Sequence, residues 1–307
     1  MERSTEVPWL AIVNPASGRA DAGRSWRSIE RALQAVGVQC DMIRTQGPGH
    51  AGDLAARAIA EGRRRLLAVG GDGSVNEVLQ GIMNAGPDVA AKVTLAVAPN
   101  GTGNDWARSL GIGRDPRDIA AAVAAGRTML HDVGAIDFAA PGAPRHWFIN
   151  VAGAGFDALV TERVPRPVPS AFTYLGIALR ELRSYRAPEF RITADDTTLE
   201  GRFLLAFVAN ARYCGNRMHV APTARMDDGL LDVVAVDALS LPQALPKLGK
   251  LYAGRLLGDP AIHHLRAARV RIETRPDAAV QADGQLPGRT PAEFSLEPRA
   301  LRVITGR

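Results

Sequence analysis

The residues best suited to chemistry lie in two glycine-rich loops, each directly after an apolar run. The first loop follows Leu66–Val69 and contains Gly70, Gly71, Asp72, Gly73, Ser74, Val75, Asn76 and Glu77. Glycines let a backbone approach a phosphate closely, and the helix predicted to follow adds a favourable partial charge at its N-terminus. The Asp72 carboxylate can hold the magnesium ion that accompanies phosphates. A tight turn capped by Ser74 is the alternative, but three glycines around an acid exceed what a turn requires.

The second loop follows the apolar run Val93–Ala98 and contains Asn100, Gly101, Thr102, Gly103, Asn104 and Asp105. Gly101 and Gly103 allow close approach of a ligand. The other side chains offer hydroxyl, amide and carboxylate groups suited to a phosphate, a ribose or a substrate hydroxyl. A capped loop is the structural alternative. Two such loops at one crevice indicate a nucleotide.

The elements around these loops predict an α/β domain over residues 1–132. Apolar runs predict strands at Trp9–Val13, Cys40–Ile43, Leu66–Val69 and Val93–Ala98, and periodic Ala/Arg-rich stretches predict helices at Ala22–Val36, Ala51–Glu61, Ser74–Asn84 and Pro116–Ala125. Their alternation is typical of a doubly wound parallel sheet. Ligands bind such sheets at the carboxyl ends of the strands, where both loops and the polar turn Asn14–Gly18 fall.

Residues 133–307 change to strands separated by turns, which predicts a second domain built as an antiparallel β-sandwich. The predicted strands are His146–Val151, Phe190–Ala194, Phe203–Ala209, Leu231–Val236, Arg269–Thr274, Ala279–Ala282, Glu293–Leu296 and Leu301–Thr305. One helix is predicted to interrupt them, capped by Ser170, with Phe172, Leu175, Leu179 and Leu182 on one face. The adjacent His263 and His264 lack metal-ligand spacing and are interpreted as a solvated turn.

Composition excludes several classes of protein. The only lysines are Lys92, Lys247 and Lys250, and none follows a glycine-rich turn, which excludes a P-loop ATPase and argues against a protein kinase. Two distant cysteines, Cys40 and Cys214, favour a reducing cytoplasm over a disulfide framework. No apolar run approaches the ~18 residues of a membrane span, so we expect a soluble protein that reaches any lipid from the membrane surface.

Five motifs in order resemble the diacylglycerol kinase catalytic-domain family, which includes sphingosine kinases and bacterial soluble lipid kinases. They are Asn14–Gly18, Gly70–Glu77, Gly101–Asp105, Asp228–Asp232 and Asp283–Gly284, and they span nearly the whole chain. Each motif is weak alone, since the first glycine loop also occurs in NAD kinases and phosphofructokinases. The resemblance implies an ATP- and Mg2+-dependent kinase that phosphorylates a lipid hydroxyl, with diacylglycerol as the first candidate.

The resemblance also implies roles for individual residues. We expect the nucleotide-binding residues to be Asn14, Thr45, Gly70, Gly71, Asp72, Gly73, Ser74, Asn76, Glu77, Gly101, Thr102, Asn104 and Asp105. A structural magnesium in the second domain would be held by Asp228 and the carbonyl of Leu230, with Arg225 able to contribute only its backbone carbonyl. Asp283 is the expected catalytic base, although it is also suited to a hairpin turn. Gln285 replaces the family's usual glutamate and cannot take a proton.

Two other functions stay open at this point. An NAD kinase would share the first glycine loop, and a catalytically impaired lipid- or nucleotide-binding protein is compatible with Gln285. A dinucleotide fingerprint at Gly153–Ala158 lacks the βαβ unit that it needs, because prolines soon follow.

The expected partners are a lipid and a membrane surface. Cations near the second-domain helix could meet anionic headgroups during transient association, or could simply be solvated: Arg163, Arg166, Arg180, Arg183 and Arg186. We expect no nucleic-acid partner, and a homodimer is possible.

Overall fold

The computed structural model describes residues 8–18, 22–165 and 171–306. The chain forms two compact units, one of Met1–His131 with Arg299–Arg307 and the other of Asp132–Pro298. The last nine residues therefore belong to the first unit, whereas the sequence prediction placed all of 133–307 in the second.

The first unit contains a parallel sheet whose strands alternate with helices. Its strands are β1 (Trp9–Val13), β2 (Cys40–Arg44), β3 (Arg65–Gly70) and β4 (Thr94–Pro99). Its helices are α1 (Ala22–Ala35), α2 (His50–Ala60), α3 (Asp72–Met83), α4 (Pro87–Ala90), α5 (Asp105–Ser109) and α6 (Pro116–Ala125). β1 pairs with β2 and β3, and β3 pairs with β4, in parallel throughout. Five consecutive residues at the end of β3 and of β4 are buried, as expected when both faces of a parallel sheet are covered.

The second unit is built from antiparallel strands. Its strands are β5 (Thr128–Phe138), β6 (His146–Phe148), β7 (Val151–Gly155), β8 (Glu189–Ala194), β9 (Thr197–Ala209), β10 (Tyr213–Cys214), β11 (Met218–His219), β12 (Leu231–Asp237), β13 (Ile262–Ala267), β14 (Arg269–Arg275), β15 (Ala279–Ala282), β16 (Gln285–Arg289) and β17 (Ala292–Ile304). Its helices are α7 (Phe156–Arg163), α8 (Ala171–Leu182) and α9 (Leu241–Tyr252), with a short 3₁₀ turn at Leu256–Gly258. β5 begins, and β17 ends, in the first unit.

The long strand β9 joins the two layers of this unit. Its first half pairs with β8, which continues through β14 to β17, and its second half lies between β7 and β12. Side chains alternate across the strand: Ala206 and Val208 belong to one apolar core, while Phe207 and Ala209 belong to a second one that α7 and α8 cover. The sandwich was predicted from the spacing of the strands and the turns between them, and this alternation shows how one strand serves both cores.

The predicted fold class is confirmed, but some elements differ from the predictions. Glu293–Leu296 and Leu301–Thr305 form one strand, β17, in which Arg299 takes a left-handed φ of 52° after Pro298. This irregularity, predicted as a turn, is where the strand passes from the second unit to the first. The helix α9 was not predicted. Pro242 occupies its first turn, and Ser240 and Gln243 form a capping box.

Two further predictions need correction or lie outside the described residues. His263 and His264 are not in a solvated turn but in strand β13, where they contact Asp237 and Asp232. Ser170 and Arg166 fall outside the described residues. α8 packs against the second core through Ile177, Ala178 and Leu182, and Leu182 is the residue of the predicted apolar face that is recorded in this contact. Of the helices in the described ranges, none has the length and apolar character that a membrane crossing needs.

Candidate active site

The carboxyl ends of β1, β3 and β4 bring three polar turns together in the first unit. The backbone N–H of Asn14 donates to the carbonyl of Val69 at 3.0 Å, and the N–H of Asn100 donates to the carbonyl of Gly70 at 2.8 Å. The Asn14 amide also donates to Oγ of Ser74 at 2.9 Å. Parallel pairing alone would align these strand ends, and the side-chain bonds tie the turns to one another.

Gly71 and Gly101 lie against each other where the two predicted phosphate loops meet. A Cβ built on Gly101 would lie 2.5 Å from the Cα of Gly71, and one on Gly71 would lie 3.1 Å from the Cα of Gly101. Any side chain at Gly101 would therefore meet backbone, which cannot yield as a flexible side chain can. The backbones of the two loops can come this close only because both residues are glycine, and a loop that binds phosphate through its backbone requires such glycines.

Helix α3 begins at Asp72, two residues earlier than predicted. Gly71 is its N-cap in an extended conformation, and none of Gly70, Gly71 and Gly73 has a positive φ. These glycines are therefore needed because they have no side chain, and not because they adopt a left-handed backbone conformation. The first N–H groups of a helix of this length point at an anion placed before it. Asp72 is half-buried in this first turn, and its Oδ1 accepts the N–H of Trp106 at 3.3 Å.

The second loop is shaped by Asn104, which is buried and has a left-handed φ of 53°. Its Oδ1 accepts the N–H of Gly101 at 2.9 Å, and its amide donates to the carbonyl of Gly101 at 2.8 Å. Asp105 is buried and pairs with Arg108 at 2.5 Å. Thr102 is exposed at the tip. Asn104 and Asp105 therefore stabilise the loop, and Thr102 is the side chain that a ligand can reach.

Three other predicted nucleotide residues have contacts within the unit. Thr45 is buried at the end of β2, where its N–H donates to the carbonyl of Val13 at 2.9 Å. Asn76 is buried in α3 and accepts from Gln80 at 3.2 Å. Glu77 accepts the N–H of Ala51, in the first turn of α2, at 3.3 Å. Nucleotide contact by these residues stays a prediction.

In the second unit, Asp283 and Gly284 form the two-residue turn between β15 and β16. Both have positive φ, 49° and 81°, which is the hairpin geometry that an Asp-Gly pair favours. The Asp283 carboxylate is buried and accepts three backbone N–H groups, from Ile149 at 2.8 Å, Asn150 at 3.0 Å and Val151 at 3.1 Å. These bonds join the hairpin to the segment between β6 and β7. Gln285 begins β16.

A buried carboxyl that the sequence analysis did not single out lies next to this turn. Asp157, in the first turn of α7, is only 7% exposed, and Oδ1 has no hydrogen-bond partner. Its Oδ2 accepts from Gln281 at 3.1 Å, while Oε1 of Gln281 accepts the N–H of Gly284 at 3.2 Å. Burial raises the pKa of Asp157 to about 7, against the lowering effect of its hydrogen bonds. A Cβ at Gly153 would lie 2.5 Å from this carboxyl, which explains the need for glycine there.

The predicted metal-binding segment lies in an aspartate cluster, formed by Asp132, Asp228 and Asp232 with Arg266, Thr223 and His264. Asp232 is fully buried and accepts from Thr223 at 2.5 Å, His264 at 2.7 Å and Arg266 at 3.3 Å. Burial opposes ionisation of Asp232, but these partners outweigh it and lower its pKa.

The other two aspartates of the cluster hold the loop before β12. Oδ2 of Asp228 accepts from Arg266, and Oδ1 accepts the N–H of Leu230 at 3.2 Å. Asp132 is fully buried, and its Oδ2 accepts the N–H of Gly229 at 2.7 Å. Every one of these acids therefore has a donor within the chain.

These residues fit a magnesium ion poorly. Arg225 is exposed and pairs with Asp227 at 3.2 Å, while Asp228 already contacts the Arg266 guanidinium. Among the residues that the structure describes, no three or more His, Cys, Asp or Glu side chains are arranged to hold a metal. We therefore assign no step of a reaction to a metal in this cluster.

Sequence reasoning missed Asp132, Asp157, Gln281 and Arg266. Asp157 stood inside the glycine fingerprint at Gly153–Ala158, which the structure places in antiparallel strand β7 followed by α7. Arg266 could have been found only from the register that sets it opposite Asp232 across β12 and β13.

Comparisons with known proteins agree with this two-unit arrangement. Residues 8–136 match the diacylglycerol kinase catalytic domain, and residues 150–305 match the YegS C-terminal NAD kinase beta sandwich-like domain. A diacylglycerol kinase of Mycobacterium tuberculosis (strain ATCC 25618 / H37Rv) is 33% identical, over 97% of this chain and 94% of that protein. A diacylglycerol kinase of Bacillus subtilis (strain 168) is 27% identical over 95% and 94%.

A solved structure of a diacylglycerol kinase from Bacillus anthracis str. Sterne has a TM-score of 0.75 and 23% identity, covering 99% of this chain and 98% of that one. At this level of identity the likeness concerns the fold.

Proposed function

Because the chain belongs to the diacylglycerol kinase catalytic-domain family of lipid kinases, we propose that it phosphorylates a lipid hydroxyl with ATP and magnesium, diacylglycerol being the first candidate. The observation that carries the proposal is the contact between Gly71 and Gly101 at the N-terminus of α3. It brings the two loops together at a helix N-terminus, where backbone N–H groups would bind phosphate oxygens.

The nucleotide would be held entirely by groups of the first unit. Backbone N–H groups at the start of α3 would hold the phosphates, and the exposed Thr102 hydroxyl would add a further donor. The Asp72 carboxylate would hold the magnesium that comes with the triphosphate, and this ion would neutralise part of the phosphate charge. Since neither glycine-rich loop contains a lysine, the protein's own contribution to phosphate binding would come mainly from backbone dipoles.

In the transfer step, the lipid hydroxyl oxygen forms a bond to the γ-phosphorus as the bond to the β,γ-bridging oxygen breaks. Catalysis of such a reaction consists mostly of positioning and charge neutralisation. Asp283 is our candidate to take the hydroxyl proton. Its three backbone donors hold the carboxylate in one orientation, as a positioned general base requires.

A second candidate is a lipid- or nucleotide-binding protein with little catalysis. Two observations in the second unit favour it: Gln285 has no acid–base chemistry, and the Asp283 carboxylate is already committed to the backbone. Intact glycine loops favour the enzyme, because a pure lipid-binding protein would not require them.

Contact with a membrane surface is proposed on the exposed cations around α7 and α8. Arg163, Arg180, Arg183 and Arg186 are exposed, although Arg180 is paired with Glu181 at 2.7 Å. Each cation near an anionic surface contributes ~1 kcal/mol. We expect weak, salt-sensitive flotation with anionic vesicles that decreases when Arg180 and Arg183 become glutamine. No binding at low salt would show that these arginines are only solvated.

The experiment that tests the function is incubation of the protein with γ-labelled ATP and MgCl2 against separate acceptors. These are vesicles of diacylglycerol, a sphingoid base, a ceramide or phosphatidylglycerol, and NAD in solution. We expect label in a lipid, foremost in phosphatidic acid. Label in NADP would replace the proposal with an NAD kinase, and ATP binding by calorimetry without labelled product would favour the binding protein.

A further inference from the structure

Arg266 occupies the place of a cation in the aspartate cluster. Its guanidinium bridges two carboxylates, with Nη2 on Oδ2 of Asp228 and Nε 3.3 Å from Oδ2 of Asp232. A bridging divalent ion would make the same kind of connection, because it too binds oxygens of two acids at once. The cluster therefore already contains the positive charge that its aspartates require.

Strand pairing in the sheet places Arg266 beside Asp232. Arg266 and Asp232 are direct partners in the antiparallel pair of β12 and β13. The side chain of Arg266 is 37% exposed, whereas those of Asp228 and Asp232 are 19% and 0% exposed. Planar guanidinium groups are well suited to such bridging, since their N–H donors have a fixed geometry.

The loop that would surround a metal is held by other donors of the chain. Asp132 accepts the N–H of Gly229 at 2.7 Å, and the N–H of Asp132 donates to the carbonyl of Met226 at 2.7 Å. The side-chain amide of Asn210 donates to the backbone carbonyl of Asp132 at 2.8 Å. The loop conformation consequently has its own support on both sides of Asp228.

A magnesium ion would meet unfavourable chemistry here. It demands near-octahedral oxygen ligands, and it would have to displace or lie beside the Arg266 guanidinium. Arg225, at one of the three positions implied for the metal, brings a second guanidinium whose charge also acts on Asp228.

We propose that Arg266 replaces the structural magnesium of the family in this chain, so that the second unit needs no divalent ion at Asp228. The inference rests on the contacts of the cluster and on family membership, and it is independent of which substrate is phosphorylated. Magnesium would then be required only with the nucleotide.

The test is thermal unfolding of the nucleotide-free protein in EDTA and in millimolar MgCl2. We expect the unfolding temperature of the parent to be the same in both solutions within about 2 °C. Arg266→Ala should unfold several degrees lower in EDTA, and MgCl2 should restore part of the loss because Asp228 and Asp232 then lack the guanidinium that they share. Arg266→Lys should remain indifferent to magnesium.

Arg191→Ala is the matched control, since Arg191 is paired with Glu200 at 2.8 Å in the same unit with both side chains about 60% exposed. If Arg266→Ala unfolds at the temperature of this control, the proposal is wrong. It is also overturned if MgCl2 stabilises the nucleotide-free parent and Asp228→Asn abolishes that stabilisation. The Asp228→Asn arm decides the question even if Arg266→Ala does not fold.

Discussion

Asp72 in the first unit and Asp283 in the second both follow a buried strand beside glycine, yet their carboxylates have different surroundings. Asp72 lies half-buried in the first turn of α3, at the edge where two glycine loops meet. Asp283 is buried in a hairpin turn, with three backbone N–H groups on its two oxygens. Similar local sequences thus give one acid suited to a ligand and one that also organises the fold.

The same contrast extends to the other acids of the second unit. Asp228 and Asp232 both form ion pairs with Arg266, and the Asp132 carboxylate accepts the backbone N–H of Gly229. An aspartate in a glycine-rich motif therefore indicates catalysis or ligand binding only when the hydrogen-bond donors to its carboxylate are known. This contrast also predicts that substitutions in the first unit affect activity more than stability, while those in the second affect both.

The largest expected effect is that of Asp72→Asn. It removes a charge from the proposed phosphate-binding edge without creating a cavity, so we expect activity with ATP to fall at least 10²-fold while the unfolding temperature changes little. The measurement is the initial rate of lipid phosphorylation at saturating MgCl2. Asp53→Asn is the control, because Asp53 lies exposed in the first turn of α2 in the same unit. An unchanged rate in Asp72→Asn would remove the phosphate-loop assignment.

A smaller and mixed effect is expected for Asp283→Asn. The amide puts an N–H2 group against backbone N–H groups, which costs about 1–3 kcal/mol of stability. If Asp283 is the base, the rate of the folded variant also falls roughly 10²-fold or more. Rates must therefore be measured below the unfolding temperature of the variant, with both quantities reported.

Gln285→Glu separates the two possible bases at this turn. We expect it to change the rate little, because Asp283 is our candidate. A rise of about 10²-fold would mean that the missing carboxylate was the base and that the natural protein is impaired. If neither variant alters the rate, the proton acceptor lies outside the Asp283–Gln285 turn.

An effect on stability and not on catalysis is expected from Asp157, a buried acid. Its pKa is raised from the usual 3.8 to about 7 in the folded protein, chiefly by burial. The resulting stabilisation is fully present below pH 4 and is lost as the pH rises through about 7. At ~1.4 kcal/mol per pKa unit the loss is at most on the order of 4 kcal/mol.

Asp157→Asn should remove this pH dependence, because asparagine stays neutral. The difference in unfolding free energy between variant and parent should therefore favour the variant increasingly from pH 5 to pH 8. Tyr185, whose pKa is raised by its own burial and then by the charge of Asp157, stays neutral throughout. Urea unfolding at several pH values measures the difference, and a pH-independent difference would contradict the buried neutral acid.

Much of this architecture was predictable from the sequence because the signals are local. Alternating apolar runs and helical stretches predicted the four parallel strands β1 to β4 within one residue at each end. Glycines around Asp72 predicted a strand–loop–helix turn, and the Asp-Gly pair at Asp283 suited a hairpin. Each of these patterns involves about ten residues or fewer, so its physical cause is contained in the segment itself.

The partners of the acids could not be predicted in the same way. Asp232 and Arg266 are separated by 34 positions, and Asp283 and Ile149 by 134. Such pairs exist only once strand register and hairpin position are set, and a shift of one residue would turn a side chain to the other face of the sheet. Sequence alone therefore determined that this chain has a glycine-lined α/β unit before a β-rich unit and which acids stand in its turns. Only the tertiary structure decided which of those acids would bind backbone, guanidinium or a neutral amide, because hydrogen bonds and burial depend on groups that are distant in the chain.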